Sequence, residues 1–249
     1  MFNLDYFYCK DRIDMVSNGE RKLNLGFDID GVIADFSKPL LQTIKKNYGL
    51  TLTPTDIYCF NLDIVLGIPH PEEEQLIVEV LKQDLPLNPG AKETLERLSR
   101  EGHSIYLLTS RYGHLRDITE FWLKEKGVPY NQLHFLNNGK KYLAEIEPLD
   151  LMVEDSLQEA LGWTQKVKKI LIYDQPWNKT LNVKNLTKRV YNWNQIYTET
   201  QQLKASRCQK PILPKASKDI IYERCKHTQI SSHRWVQLSL PLLEHYQTG

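Results

Sequence analysis

The sequence predicts an α/β fold, in which a parallel sheet carries helices on both faces and a small helical cap is inserted after the first strand. Three observations predict this fold. Short apolar runs recur along residues 23–193, amphipathic helical segments lie between them, and residues 37–87 interrupt the alternation with mostly helical patterns. Apolar runs of four to six residues are typical of strands that are buried on both faces, as in parallel sheets.

Six segments are predicted to be strands. They span residues 23–28, 103–109, 133–136, 149–153, 169–174 and 189–193. Because strands and helices alternate, the sheet should be parallel and the fold Rossmann-like. In such sheets ligands lie beyond the carboxyl ends of the strands, so Asp28, Thr109 and Asp155 should meet at one rim.

Caps and apolar faces mark the helices between these strands. Asn88 is the expected N-cap of a helix that has Pro89 at its first position and ends at Gly102. A capping box that begins at Ser156 predicts a helix directly after Asp155. A third helix should end at Gly127, and its expected apolar face consists of Leu115, Ile118, Phe121 and Trp122.

The predicted domain organisation places a catalytic core at residues 23–36 and 88–198, with the cap at residues 37–87. In the cap, one helix carries Leu40, Leu41, Ile44 and Tyr48, and a second helix is opened by His70 and Pro71. Residues 1–22 form an N-terminal extension. Residues 199–249 form a C-terminal extension that is basic, because residues 200–249 hold eight Lys and Arg against three Asp and Glu. It is expected to be partly disordered.

Composition is that of an ordinary globular protein, with 41% hydrophobic and 25% charged residues among 249. No apolar run approaches the roughly 18–20 residues that cross a bilayer. Charged residues interrupt the N-terminus, so no signal peptide is expected and the predicted location is cytoplasmic. The four scattered cysteines are expected to be free thiols. A zinc site is not expected from the spacing of Cys208, Cys225, His227 and His233.

The most informative stretch is FDIDGVIADF, at residues 27–36. It places Asp28 and Asp30 directly after the first strand, and Gly31 permits a tight turn. Two carboxylates so close together repel each other unless a cation or a proton separates them. Magnesium takes carboxylate and backbone oxygens as ligands. The alternative is a turn-capping pair of acids without catalytic chemistry.

DIDGVIADF resembles motif I of the haloacid dehalogenase superfamily, and its fuller form is similar to the 5'(3')-deoxyribonucleotidase branch. The resemblance covers about residues 23–198. It implies that Asp28 attacks phosphorus and becomes an aspartyl phosphate. It implies that Asp30 protonates the leaving oxygen and then activates water. It also implies a Mg²⁺ cofactor bound by Asp28, the backbone carbonyl of Asp30, and Asp155.

LLTSR, at residues 107–111, resembles motif II, in which a hydroxyl group donates to a phosphate oxygen. Thr109 is the favoured phosphate ligand, with Ser110 close by. The alternative for Thr109 is an N-cap of the next helix. Arg111 is within reach of a phosphate, but a surface arginine is the expected outcome.

Motif III requires a lysine ahead of motif IV, and Lys140 and Lys141 are both candidates. Lys140 is chosen because it lies three residues before Leu143, at the open end of a helix that would begin there. LMVEDS, at residues 151–156, resembles motif IV. The resemblance implies that Asp155 binds Mg²⁺ directly, and that Glu154 contacts the groups around the ion or acts through a water molecule. Pure capping by this acidic pair is the alternative.

Phe36 matches a position that lines the nucleotide pocket in the similar branch, where an aromatic ring can stack on a base. A core phenylalanine under the cap is the alternative, and Tyr58 and Phe60 are weaker candidates. The implied function is a 5'-nucleotidase that hydrolyses nucleoside or deoxynucleoside monophosphates. The alternatives are a phosphatase for another small metabolite, such as a sugar phosphate, and a nucleic-acid-associated module that docks through the basic tail.

Overall fold

The computed structural model describes residues 21–59, 61–179 and 187–206. Several predictions lie outside these residues. They are the pocket role of Phe60, the absence of a zinc site at Cys208, Cys225, His227 and His233, and the predictions for most of both terminal extensions. Within the described residues, no helix has the length and apolarity that crossing a membrane would need.

Six strands in the described part of the chain form one parallel sheet, in the order β3-β2-β1-β4-β5-β6. Their bounds are β1 Asn24–Phe27, β2 Ser104–Thr109, β3 Gln132–Phe135, β4 Leu151–Glu154, β5 Lys169–Tyr173 and β6 Lys188–Val190. All five neighbouring pairs are parallel. The predicted fold class is confirmed, and β1 and β4 lie side by side at the centre of the sheet.

Seven α-helices are described. They are α1 Ser37–Tyr48, α2 Leu62–Leu66, α3 His70–Leu81, α4 Ala91–Arg100, α5 Arg116–Lys126, α6 Leu157–Trp163 and α7 Trp193–Ala205. The sequence did not predict α2. Trp193, which was expected to end a strand, begins α7 instead, and α7 continues past residue 199, where the C-terminal extension was expected to begin.

Two apolar cores flank the sheet because successive strand residues point to opposite faces. In β2, Ile105 and Leu107 pack into one core, together with Leu95 of α4. The intervening Leu108 packs into the other core with Trp163 of α6. Both faces of the sheet are therefore covered, which explains the uninterrupted apolar runs in the sequence.

The predicted apolar face of α5 is partly wrong. Ile118 is 41% exposed and Phe121 is 65% exposed. The buried residues of this helix are Thr119, Trp122 and Leu123. The orientation is set by Trp122, whose indole nitrogen donates to the carbonyl of Leu85 at 2.9 Å. A polar threonine therefore occupies a buried position that the apolar pattern did not indicate.

Asn88 does not cap α4, as the sequence had predicted. The helix begins at Ala91, after Gly90 in the left-handed conformation with φ of 83°. The Asn88 side-chain amide instead donates towards the carbonyls of Gly31, Val32 and Ala34, at 3.3, 2.8 and 3.3 Å. Asn88 thus fastens the loop that follows β1, where the two aspartates of motif I lie.

Candidate active site

The rim of the sheet brings together residues that are far apart in the sequence. Asp28 directly follows β1, and Glu154 and Asp155 lie at the end of β4. The backbone N–H of Asp28 donates to the carbonyl of Val153 at 3.0 Å, which joins the two strand ends. Asp28, Glu154 and Asp155 each offer a carboxylate oxygen, and these oxygens lie within 4.8 Å of one another. We call these three residues the rim cluster.

The rim cluster is almost completely shielded from solvent. Asp28 is 6% exposed, Asp155 is 3% exposed and Glu154 is fully buried. Burial raises the pKa of each of the three carboxyl groups, most strongly for Glu154 and Asp155, and the nearby charge of Lys141 opposes the rise. Three buried negative charges are costly unless cations compensate them. Among the described residues, Glu154 Oε2 has no hydrogen-bond partner. Hard carboxylate oxygens in this arrangement fit a divalent cation such as Mg²⁺.

Lys141, rather than the chosen Lys140, reaches the rim cluster. Its Nζ lies 2.8 Å from Asp28 Oδ1 and 3.2 Å from Glu154 Oε1. Burial alone would lower the pKa of Lys141, but the charges of Asp28 and Glu154 outweigh it and raise that pKa. Lys141 therefore carries a positive charge next to Asp28, whereas Lys140 is exposed.

Glu159 explains why the second lysine of the pair points inward. Its carboxylate accepts the backbone N–H groups of Gly139 and of Lys141, the latter at 3.1 Å. The short helical turn therefore begins at Lys141, one residue later than expected. The capping box is only half formed. Ser156 Oγ accepts the backbone N–H of Glu159 at 3.4 Å, but the Glu159 carboxylate accepts from Gly139 and Lys141 and not from Ser156.

The turn after β1 requires glycine at residue 31. Gly31 has φ of 83°, a backbone conformation that other residues rarely adopt. A Cβ atom there would lie 2.1 Å from Asp155 Oδ2. The Gln175 side chain donates to the Gly31 carbonyl at 2.5 Å and holds the turn in place. The motif I turn and the motif IV carboxylate are thus in direct contact.

Asp155 is oriented by residues that sequence reasoning did not assign to the site. Trp177 Nε1 donates to Asp155 Oδ2 at 3.1 Å, and Asn178 Nδ2 donates to the Asp155 carbonyl at 2.8 Å. Arg189 in turn donates to Asn178 Oδ1 at 2.5 Å. Residues 174–178 and 189–193 also look like the nucleotidase branch, but the hydrogen bonds of Trp177 and Asn178 to Asp155, and of Arg189 to Asn178, depend on the tertiary fold. Trp177 thus orients the carboxylate of Asp155, and Asn178 holds its backbone.

The two hydroxyl groups of motif II are in different states. Thr109 is fully buried, and its Oγ1 accepts the backbone N–H of Arg111 at 3.1 Å. Ser110 Oγ is also buried, but no described residue provides it with a hydrogen-bond partner. Because a hydroxyl group that accepts an N–H still has its own hydrogen to donate, both Thr109 and Ser110 are able to donate to a ligand.

Arg111 is not the surface residue that the sequence indicated. It is 4% exposed, and its guanidinium group forms two hydrogen bonds with the Asp30 carboxylate, at 2.7 and 2.9 Å. The Asp30 carboxylate is not part of the rim cluster. Asp28 and Asp155 therefore place carboxylates in the cluster, while the metal ligand predicted at Asp30 is its backbone carbonyl and stays a prediction.

Phe36 does not present its ring to a pocket. It is 2% exposed and belongs to the apolar core beneath the cap, next to the start of α1. Tyr58 in the cap is 51% exposed. The structure therefore favours the core role that was the alternative for Phe36.

A parallel six-stranded sheet with a carboxylate cluster and a buried lysine at its rim defines a hydrolase of the haloacid dehalogenase type. Solved structures share this fold. A haloacid dehalogenase-like hydrolase from Streptococcus pneumoniae has a TM-score of 0.55 and 14% identity, covering 72% of this chain and 99% of that one. A protein described as a predicted phosphatase, from Clostridium acetobutylicum, has a TM-score of 0.53 and 12% identity, covering 73% and 100%.

The sequence comparisons identify the family. The family described as 5' nucleotidase, deoxy (pyrimidine), cytosolic type C protein matches residues 21–207, and the chain belongs to it. A nucleotidase from Clostridium acetobutylicum is 26% identical over 180 residues, which are 71% of this chain and 92% of that protein. A relative from Oceanobacillus iheyensis is 30% identical over 185 residues, covering 69% and 96%. The chain is accordingly a phosphatase of the nucleotidase type.

Proposed function

We propose that this chain is a magnesium-dependent hydrolase of phosphate monoesters, that it acts through an aspartyl phosphate at Asp28, and that its substrates are nucleoside or deoxynucleoside monophosphates. One observation carries the proposal. The ammonium group of Lys141 lies 2.8 Å from Asp28 Oδ1, inside a buried group of three carboxylates. This arrangement keeps a carboxylate in place for attack and sets a positive charge beside it.

Asp28 is the proposed nucleophile. A carboxylate is repelled by an anionic phosphate unless nearby positive charge offsets the repulsion. Lys141 supplies one such charge and also orients Asp28. In the first step an Asp28 oxygen forms a bond to phosphorus, the bond from phosphorus to the leaving oxygen breaks, and Asp30 gives its proton to that oxygen. Splitting the displacement into two steps in this way lowers each barrier.

Asp30 then acts in the opposite direction. It accepts a proton from water as the water oxygen attacks phosphorus, the bond between phosphorus and Asp28 breaks, and inorganic phosphate leaves. Both residues return to their starting states, so protons and atoms balance over the cycle. Thr109 and Ser110, whose hydroxyl groups each have a hydrogen to donate, are the proposed donors to phosphate oxygens during both steps.

Asp28 and Asp155 would hold the metal ion, with Glu154 beside them. When it is bound, Mg²⁺ supplies positive charge that neutralises the phosphoryl oxygens. Trp177 and Asn178 keep Asp155 in the orientation that this role requires. The buried Glu154 Oε2, which has no hydrogen-bond partner among the described residues, supports the presence of a cation or a bound water nearby.

Nucleotides are the proposed substrates because the chain belongs to a nucleotidase family and a relative from Clostridium acetobutylicum is named a nucleotidase. Docking of nucleic acid through the basic tail depends on residues outside the described range and stays a hypothesis, as does the cytoplasmic location.

A substrate panel tests the proposal. Phosphate release should be measured with and without Mg²⁺, over nucleoside and deoxynucleoside monophosphates and a set of sugar phosphates. We expect activity only with Mg²⁺, and a kcat/KM for the preferred nucleotide about tenfold or more above that for any sugar phosphate. Sugar phosphates hydrolysed as well as nucleotides would favour the other small-metabolite function. Activity that is unchanged by removal of Mg²⁺ would contradict the proposed mechanism.

A further inference from the structure

Arg111 and Asp30 form an ion pair that the proposed reaction does not yet explain. Arg111 Nη2 lies 2.7 Å from Asp30 Oδ1, and Arg111 Nε lies 2.9 Å from Asp30 Oδ2. The Arg111 side chain is 2% exposed and that of Asp30 is 18% exposed. Two parallel hydrogen bonds from a planar guanidinium group fix the plane of a carboxylate as well as its position.

Arg111 is held in place by groups other than Asp30. Its Nη1 donates to Thr119 Oγ1 at 3.2 Å, and its guanidinium carbon lies 5.3 Å from the centre of the Trp122 ring. Thr119 donates in turn to the carbonyl of Leu115 at 2.9 Å. The arginine is therefore anchored on α5 by contacts that do not involve Asp30.

The pairing separates the roles of two neighbouring carboxylates. Asp30 is only two residues from Asp28, yet its carboxylate lies outside the rim cluster. A divalent cation in that cluster would attract any carboxylate within reach. We infer that Arg111 is a positioning residue, an inference that rests on the proposed function. It keeps the Asp30 carboxylate out of the metal site and orients it for proton transfer to the leaving group.

Each Asp30 oxygen has a second lone pair that is not used by Arg111, so the pair leaves the carboxylate free to contact a bound ester. An alternative role for Arg111 is to bind the phosphoryl group directly. The two roles differ in which substrates they affect. Loss of a phosphate ligand weakens reaction of every ester equally, whereas loss of a well-placed acid matters most when the leaving group is a weak acid that needs a proton.

The decisive comparison uses two esters of nearly equal size, phenyl phosphate and 4-nitrophenyl phosphate. Phenol is the weaker acid, so its departure depends more on protonation. The quantity to compare is kcat/KM, because it covers the steps up to departure of the leaving group and excludes the later hydrolysis of the aspartyl phosphate, which is common to both esters. The variants are Arg111→Met and Arg111→Lys, with Arg97→Met as the control. Arg97 lies on α4 and pairs with Glu101 and Tyr197.

For Arg111→Met we expect kcat/KM to fall about 100-fold or more with phenyl phosphate, and about fivefold or less with 4-nitrophenyl phosphate. Arg111→Lys should lie between wild type and Arg111→Met, because an ammonium group lacks the planar pair of donors. Arg97→Met should match wild type with both esters. Equal losses with the two esters, or no loss with either, would overturn the inference.

A crystal structure of the variant provides a test that does not depend on activity. In Arg111→Met, the Asp30 carboxylate should leave its present place and turn towards Asp28 and Asp155. An unchanged orientation of Asp30 would refute the positioning role, whatever the kinetics show. If Arg111→Met does not fold, Arg111→Lys serves for the same measurement. Failure of the wild type to hydrolyse any ester would reject the proposed function, while the crystal structure would still decide whether Arg111 controls Asp30.

Discussion

Within the described residues, two groups of side chains have the composition of a metal site, and they differ in burial and in hydrogen bonding. One is the rim cluster of Asp28, Glu154 and Asp155. The other, which we call the cap cluster, consists of Asp63 in α2 and of His70 and Glu73 in the first turn of α3. In both groups the potential ligand atoms lie within 4.8 Å of one another.

The cap cluster is explained by the structure of the cap alone. Glu73 Oε1 accepts the backbone N–H of Leu62 at 2.7 Å, and Glu73 Oε2 lies 2.8 Å from His70 Nδ1. The His70 side chain is 70% exposed. The carboxylate of Glu73 thus joins α2 to α3, and both of its oxygens have partners.

The rim cluster has no comparable structural explanation. Its carboxylates are buried, their pKa values are raised by that burial, and Glu154 Oε2 has no hydrogen-bond partner among the described residues. Burying charge without full compensation costs free energy, and such groups are characteristic of functional sites. The comparison teaches that proximity of ligand-type residues indicates a site only when burial and incomplete pairing accompany it.

Asp28→Asn should have the largest effect. The amide has the same shape but is a very poor nucleophile, so kcat should fall on the order of 10⁴-fold or more while the fold is retained. Phosphate release measures the loss, and near-ultraviolet circular dichroism serves as the check on folding. A folded variant with normal Mg²⁺-dependent turnover would remove the basis for assigning the reaction to the rim cluster.

The two lysines offer a matched pair of variants. Lys141→Ala should lower kcat/KM about 10²- to 10³-fold, because it removes the charge that contacts Asp28. Lys140→Ala should change it by about twofold or less, since Lys140 is exposed. The same phosphate-release assay on both variants decides which lysine acts with Asp28. Equal losses of kcat/KM would contradict the assignment to Lys141.

Direct measurement of Mg²⁺ binding addresses the comparison of the two clusters. By titration calorimetry, Asp155→Asn should weaken Mg²⁺ binding about tenfold or more, because a rim ligand loses its charge. His70→Ala should leave both Mg²⁺ affinity and turnover within about twofold of wild type. Weakened binding in His70→Ala, with Asp155→Asn unaffected, would reverse the assignment of the two clusters.

The smallest expected effect concerns the dependence of stability on pH in the cap. The hydrogen bond from Glu73 raises the pKa of His70 above its ordinary value. Protonated His70 therefore stabilises the folded state at low pH, and this contribution is lost as pH rises through the raised pKa. The difference in Tm between wild type and His70→Ala should be small and positive near pH 5.5, and should disappear near pH 8.5. A difference that grows with pH would contradict the pairing.

The sequence predicted the parts of the site that depend on local order along the chain. Apolar runs located all six strands within a few residues, and the acids that end β1 and β4 were expected at one rim. It was wrong where a choice depended on side-chain direction. Three predictions were off by one or a few residues: the Lys140 assignment, the apolar face with Ile118 and Phe121, and the helix cap at Asn88. A shift of this size turns a side chain towards different neighbours.

The sequence by itself determined the class of fold, the family and the carboxylates of the site, because strand periodicity and closely spaced motifs are properties of short segments. Only the tertiary structure decided which lysine contacts Asp28, that Arg111 is buried against Asp30, and that Trp177 and Asn178 orient Asp155. These contacts join residues distant in the chain, and they depend on how loops from separate strands pack against one another. Such packing leaves no local pattern in the sequence.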